Sequence, residues 1–126
     1  MERPRLRLSA ATISTPDPRG LGAFYERLLG WSVVDDEPDW VRLRPPDGGP
    51  GVSFHIEPDY VRPAWPATPG RQQTMVHLDV AAEDLDAAVA WALELGATLA
   101  EHQPQDDVRV LLDPDGHPFC LFRGGG

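Results

Sequence analysis

Met75 to Ala97 reads MVHLDVAAEDLDAAVAWALELGA, and two periods meet in it. Val76, Leu78 and Val80 alternate with Met75, His77 and Asp79, the period of a strand with one apolar face. Leu85, Ala88, Ala92 and Leu95 then recur at helical spacing, with Trp91 beside the stripe. Asp84 stands where a carboxylate accepts the free amides of a first turn, and Gly96 stands just past the last. The stretch is a strand over 73–80 followed by a helix.

An earlier copy of this unit opens the chain. Leu6 to Ser14 is an expected strand, and Asp17-Pro18 opens a helix whose apolar stripe is Leu21, Phe24, Tyr25, Leu28 and Leu29, ending at Gly30. Asp17 and Asp84 are 67 residues apart, as are Phe24 and Trp91. Strands are expected at 31–34, 40–44 and 52–57 after the first helix, and at 98–102, 108–112 and 118–123 after the second. The turn PPDGG at 45–49 matches DPDGH at 113–117. Asp35-Asp36-Glu37-Pro38 is read as the turn closing the second strand, and 58–71 as a proline-rich connector pinned by Tyr60 and Trp65. The pattern predicts an α+β fold: tandem βαβββ modules forming a curved mixed sheet around one cleft. Module one is 6–58, the connector 59–72 and module two 73–123, with a flexible glycine end at 124–126. Faces turned away from the helices are expected to line the cleft.

The 126 residues suit one domain. A net charge of −9 argues against nucleic acid and against an anionic membrane, since both are bound by neutralising phosphates. It favours cationic small molecules only weakly. No apolar run approaches the ~20 residues that span a bilayer, and MERPRLRLSAA lacks the apolar core of a signal peptide. With its single cysteine, Cys120, the chain is expected to be cytoplasmic.

FYERLLGW at 24–31, PAWPATPGRQQTMVHLDV at 63–80, DLDAAVAWALELGA at 84–97 and LLDPDGHPFCLF at 111–122 carry a resemblance to a known family. The chain resembles the vicinal oxygen chelate superfamily (glyoxalase, bleomycin resistance and dioxygenase proteins), and within it the glyoxalase-like-domain subgroup. The resemblance covers nearly the whole chain and implies a single glyoxalase-like domain over 1–126. It implies a homodimer as well. It does not fix a reaction, because one fold hosts many chemistries.

Metal enzymes of the superfamily place one ligand on each of the first, fourth, fifth and eighth strands. Counting seven back from each helix-opening acid, the resemblance carries these positions to Ala10 and His77, and on the other strands to His55 and Cys120. Alanine cannot coordinate, so the implied metal set is His55, His77 and Cys120, suited to zinc, nickel or iron. No carboxylate falls on the four positions, which disfavours glyoxalase I chemistry and an extradiol dioxygenase. The blander reading makes the histidines hydrogen-bonded pocket residues and Cys120 a small buried hydrophobe with an unreactive thiol.

Trp40, Arg42, Trp65, Asp79 and Arg109 are further candidates to line a small-molecule site, and Glu57 could serve as a base beside His55. Trp65 fits a ligand lid and a core plug equally. His102 and His117 are expected to be exposed and inert. The first functional reading is a metal-independent small-molecule binder without a cofactor, similar to drug-sequestering members of the superfamily. The second is a metal-dependent lyase or isomerase, and the third a purely structural interaction module.

Overall fold

Asp17 accepts the Gly20 amide at 3.1 Å, and Pro18 occupies the first helical position, so α1 runs Pro18–Leu29. Gly30 ends it in the left-handed region at φ 69°, which only glycine adopts freely. In the same way Asp84 accepts the Ala87 amide at 3.0 Å and starts α2, Leu85–Glu94. The structure, a computed structural model, describes residues 1–124. Among these, eight strands accompany the two helices: β1 Ala10–Thr15, β2 Ser32–Glu37, β3 Trp40–Arg44, β4 Gly51–Ile56, β5 Leu78–Ala82, β6 Thr98–Leu99, β7 Val108–Leu112 and β8 Pro118–Arg123. The order is βαβββ twice, an α+β fold of tandem modules. Two residues of the expected glycine end, 125 and 126, lie outside the described residues.

The chain divides into two compact units, Met1–Glu57 and the chain from Pro58 onward. Unit one has the sheet order β1-β4-β3-β2, with β1 parallel to β4 and the other pairs antiparallel. Its core lies between α1 and one sheet face: Leu21, Phe24 and Tyr25 are buried with Ile13, Val41, Leu43, Val52 and Phe54. The Tyr25 ring stacks on Phe54 at 5.5 Å. Unit two repeats the topology as β5-β8-β7-β6, again with the outer pair β5 and β8 parallel. Leu85, Ala92, Ala97, Ala100, Val110, Leu111, Phe119 and Leu121 are its buried apolar residues.

Five strands differ from expectation; β4 is shifted by one residue, Gly51–Ile56 against 52–57, and hydrogen-bond partners explain the other four. The first strand starts at Ala10, not Leu6, because its partner β4 starts at Gly51 directly after the turn; Leu6 and Leu8 are exposed. The fifth starts at Leu78, not Gln73, because β8 starts at Pro118, so Met75 and Val76 are exposed and His77 precedes the strand. The second strand extends through the acidic run read as a turn. Asp35, Asp36 and Glu37 pair with Arg42, Val41 and Trp40 after a bulge, and ion pairs Arg42–Asp35 (2.9 Å) and Arg19–Asp36 (2.8 Å) offset the charge. The sixth stops at Leu99, because the Gln103 side chain takes over the ladder: its amide donates to Ala100 and Val110 carbonyls at 2.8 Å and its oxygen accepts the Val110 amide at 2.9 Å.

The connector belongs to unit two. The Tyr60 hydroxyl donates to the Asp115 carbonyl at 2.8 Å, and the Trp65 indole N–H to the His102 carbonyl at 3.2 Å. His117 is not the exposed side chain expected. Its Nδ1 lies 2.9 Å from the fully buried Asp113 carboxylate, whose Oδ1 also accepts the amides of Asp115 and His117 at 3.0 Å. The carboxylate thus holds the whole β7–β8 turn, and Gly116 closes it at φ 90°. His102 is exposed as expected.

Candidate functional site

Register places the candidate side chains. Directly opposed residues in a ladder share a face. In unit one, Ser14, His55, Trp40 and Glu37 therefore form one row across the sheet, and Thr12, Ser53, Arg42 and Asp35 form the next. Both rows lie on the face opposite α1, because Phe54 and Val41, on the other phase, pack under that helix. Trp40 and Arg42 are half-buried, His55 is exposed and Ser53 is buried. Glu57 follows β4 on the same phase, its amide donating to the Thr15 carbonyl at 2.9 Å.

In unit two, Asp79, Cys120 and Val110 share a row. His77 precedes Asp79 by two residues, with His77 Nε2 3.3 Å from Asp79 Oδ1. One donor atom each from His77, Asp79 and Cys120 lies within 4.8 Å of the others. Burial, then the neighbouring Asp79 charge and hydrogen bonding to that carboxylate, push the Cys120 thiol above its usual value of 9.0, so it is protonated at neutral pH.

The remaining candidates are placed differently. Arg109 pairs with Leu121, one residue out of phase with Cys120, so it stands on the other face. Its guanidinium donates to the carbonyls of Asp106 and Val108 at 2.9 Å and of Gln105 at 3.3 Å, fastening the approach to β7. Trp65 is half-buried, with its ring 6.1 Å from the His102 ring.

Ladder register also corrects the count that compared the two modules. Ser14 opposes His55 as Asp79 opposes Cys120, so strand positions repeat at 65, whereas the helix caps repeat at 67. Two extra residues between strand and helix in module two absorb the difference. The counterpart of His77 is thus Thr12, not Ala10, and the residue beside Cys120 is a carboxylate. Sequence reasoning left out Thr12, Ser14 and Ser53. Phe54-His55-Ile56 and Phe119-Cys120-Leu121 align at an offset of 65, the sequence signal that would have found Ser14.

Residues 10–122 match a family model described as a glyoxalase-like domain. No curated protein matches the chain. Among solved structures, it is similar to a glyoxalase/bleomycin resistance protein/dioxygenase family enzyme from Burkholderia phytofirmans PsJN, with 20% identity, TM-score 0.71, and 94% of this chain and 98% of that one covered. It is similar to TnmS3, an antibiotic binding protein from Streptomyces sp. CB03234, with 19% identity, TM-score 0.61, and 98% and 100% covered. It is similar to the fosfomycin resistance protein FosX from Mesorhizobium loti, with 16% identity, TM-score 0.67, and 94% and 92% covered. At these identities the likeness is one of fold.

Proposed function

The chain belongs to the glyoxalase-like domain family, of the vicinal oxygen chelate superfamily, and from that premise we propose that it binds a small molecule without a metal or other cofactor. The observation that carries this reading is the helix-free face of unit one. An aromatic ring, an imidazole, a guanidinium, three hydroxyls and two carboxylates stand there in two adjacent rows, the composition of a recognition surface. The antibiotic-binding and fosfomycin-resistance proteins that share the fold make antibiotic-like compounds the first ligands to try. The thermal shift of the purified chain against a panel of such compounds tests it. A ligand at 100 times its Kd stabilises by about 2.7 kcal/mol, several degrees in Tm. A panel without a shift counts against the reading.

A second reading rests on the trio His77, Asp79 and Cys120. Imidazole, carboxylate and thiolate within 4.8 Å of one another fit a divalent zinc, nickel or iron ion, with Asp79 supplying the carboxylate that the set His55, His77 and Cys120 lacked. When bound, such an ion supplies Lewis-acid polarisation of a ligand oxygen, as a lyase or isomerase requires. Cys120 must shed its proton to ligate, so uptake rises with pH. Near-stoichiometric metal by mass spectrometry, lost in His77→Ala, would favour this reading; none on titration would end it.

The chain is further proposed to act in the cytoplasm as a homodimer. No helix among the described residues is long and apolar enough to cross a membrane. Trp91 and Leu93 flank the buried Ala92 on α2 and are exposed, which suits a protein contact. Sedimentation as a monomer at micromolar concentration would overturn the dimer.

A further inference from the structure

Arg19, Gly22, Ala23 and Glu26 fall at i, i+3, i+4 and i+7 of α1 and so form one stripe down the helix. Val33 and Asp36 face that stripe from the edge strand β2, because they oppose Leu43 and Val41, which are buried under α1. Between stripe and strand lies a cavity of about 160 Å³, open to solvent, with Val41 also in its wall. It is on the helix side of the sheet, away from the rows that hold Trp40, Arg42 and His55. A Cβ on Gly22 would lie 2.6 Å from Val41 Cγ1, so helix and sheet meet closely at that point and floor the cavity. The short side chain of Ala23 leaves the space beside it unfilled.

The wall is apolar and the two ends are charged. At one end the Arg19 guanidinium donates from Nε to Asp36 Oδ1 at 2.8 Å and from Nη2 to the Asp36 carbonyl at 3.2 Å, so that end is already neutralised. The other end is seven residues along the helix, about 10 Å away, and holds Glu26. Its carboxylate is half-buried and makes no hydrogen bond or ion pair among the described residues. A carboxylate only accepts, and a charged donor gives it the stronger hydrogen bond. An anion would meet the Glu26 charge with only a neutralised guanidinium to offset it. The space is close to that of a cavity known to hold benzene, room for about six carbon atoms. We propose that this groove is a ligand site separate from the helix-free face, and that it takes a primary ammonium carried on a compact apolar body of about six carbons. The ammonium meets Glu26 and the body lies against Ala23, Val33 and Val41. The net charge of −9 draws such cations toward the chain.

Benzylamine, n-butylamine, benzyl alcohol and benzoate, titrated into the isotope-labelled full chain and followed by amide chemical shifts, test this. Benzylamine is expected to bind with a Kd on the order of 1 mM, in keeping with its size and an open groove. Its shifts are expected to centre on residues 19–26 and 33–36. Benzyl alcohol, which lacks the charge, is expected to bind about tenfold more weakly, and benzoate more weakly still. n-Butylamine has the stem of a lysine side chain and covers less of the wall, so a loss of about fivefold is expected. Glu26→Gln is expected to bring benzylamine down to the level of benzyl alcohol and to leave the alcohol unchanged. Ala23→Leu fills the groove and is expected to abolish binding of all four; Val33→Phe narrows it from the strand side and serves if Ala23→Leu lowers Tm sharply. No shifts at about ten times the expected Kd overturn the inference. Tightest binding of benzoate overturns it as well, and so does an amine preference kept in Glu26→Gln. Butylamine binding as tightly as benzylamine would also overturn it, since the groove would then read a lysine-like stem. Shifts centred on Trp40 and His55 would place the amine on the helix-free face, so that this inference falls while the small-molecule reading stands.

Discussion

The two units share a hydrogen-bonded frame and diverge in what they mount on it. Phe54 and Phe119 occupy the same ladder position and are both wholly buried, and so do Val41 and Leu111, 3% and 0% exposed. On the opposite phase the same frame carries Ser14, His55 and Trp40 in unit one, but Asp79, Cys120 and Val110 in unit two. The helices diverge likewise. α1 has a polar outer side, with Arg19, Glu26 and Arg27 on it, whereas α2 has Asp86 and Glu94 as its only charges and leaves Trp91 and Leu93 exposed. The core phase is set by packing against the helix, and any change there is felt as a cavity or a clash. The other phase lies outside that packing, so a duplicated frame carries two different sets of side chains: hydroxyls, an imidazole and an aromatic ring in one unit, the trio His77, Asp79 and Cys120 in the other.

The largest test of this comparison uses two side chains at matching helix positions. Phe24 is 4% exposed and Trp91 is 49% exposed, although both stand seven residues past their capping aspartates. Phe24→Ala is expected to cost about 3–5 kcal/mol in denaturant unfolding, the loss of a buried aromatic. Trp91→Ala is expected to cost about 1 kcal/mol or less in the isolated chain. Equal losses would mean that Trp91 is packed as closely on unit two as Phe24 is on unit one.

The two hairpin turns give the next contrast. Asp113 is buried and bonds two amides and an imidazole, so Asp113→Ala is expected to cost about 3 kcal/mol by leaving those groups unmet. Asp47, in the matching turn of unit one, accepts the Gly49 amide at 2.8 Å on the surface. Asp47→Ala is expected to stay within about 0.5 kcal/mol. Thermal melts of the two variants side by side check both figures.

These pairs also show where the sequence was legible. Helix caps and stripes could be read because their signals are local: Asp17-Pro18, Asp84, Gly30 and Gly96 act within one turn. β3, β7 and β8 were read with the ends they have. β1 and β5 were read too long, because alternation marks a segment able to be a strand while its length is set by a distant partner, here Gly51 and Pro118. The burial of His117 was hidden for a related reason: a turn histidine looks exposed until Asp113 is seen to be buried beside it. At the site, the phase of His55 and Cys120 followed from alternation, but the pairing of Cys120 with Asp79 needed the parallel register. Counting from the helix caps missed it by the two residues inserted between strand and helix.

The smallest expected effect concerns that pairing, and it separates a charged neighbour from simple burial. Burial raises the Cys120 thiol first and the Asp79 carboxylate raises it further. At neutral pH the thiol should therefore react with iodoacetamide more slowly than an unperturbed cysteine, because only the thiolate attacks. Asp79→Asn removes the charge and keeps the burial, so alkylation should speed up several-fold without reaching the unperturbed rate. Ser14, at the matching place in unit one, is uncharged, so Ser14→Asp combined with His55→Cys would install the same brake there. The linkage has a definite sign. A thiol raised in the folded state holds its proton longer than the unfolded chain does, so its contribution to stability is complete below the ordinary value of 9.0 and fades as pH rises above it. Tyr60, raised by burial and then by the Asp113 and Asp115 charges, adds a loss in the same direction beginning above its ordinary value of 10.0. Cys120→Ser should flatten the earlier part of that alkaline decline and leave the later part to Tyr60. A decline unchanged in both Cys120→Ser and Tyr60→Phe would show that neither proton is held by the fold.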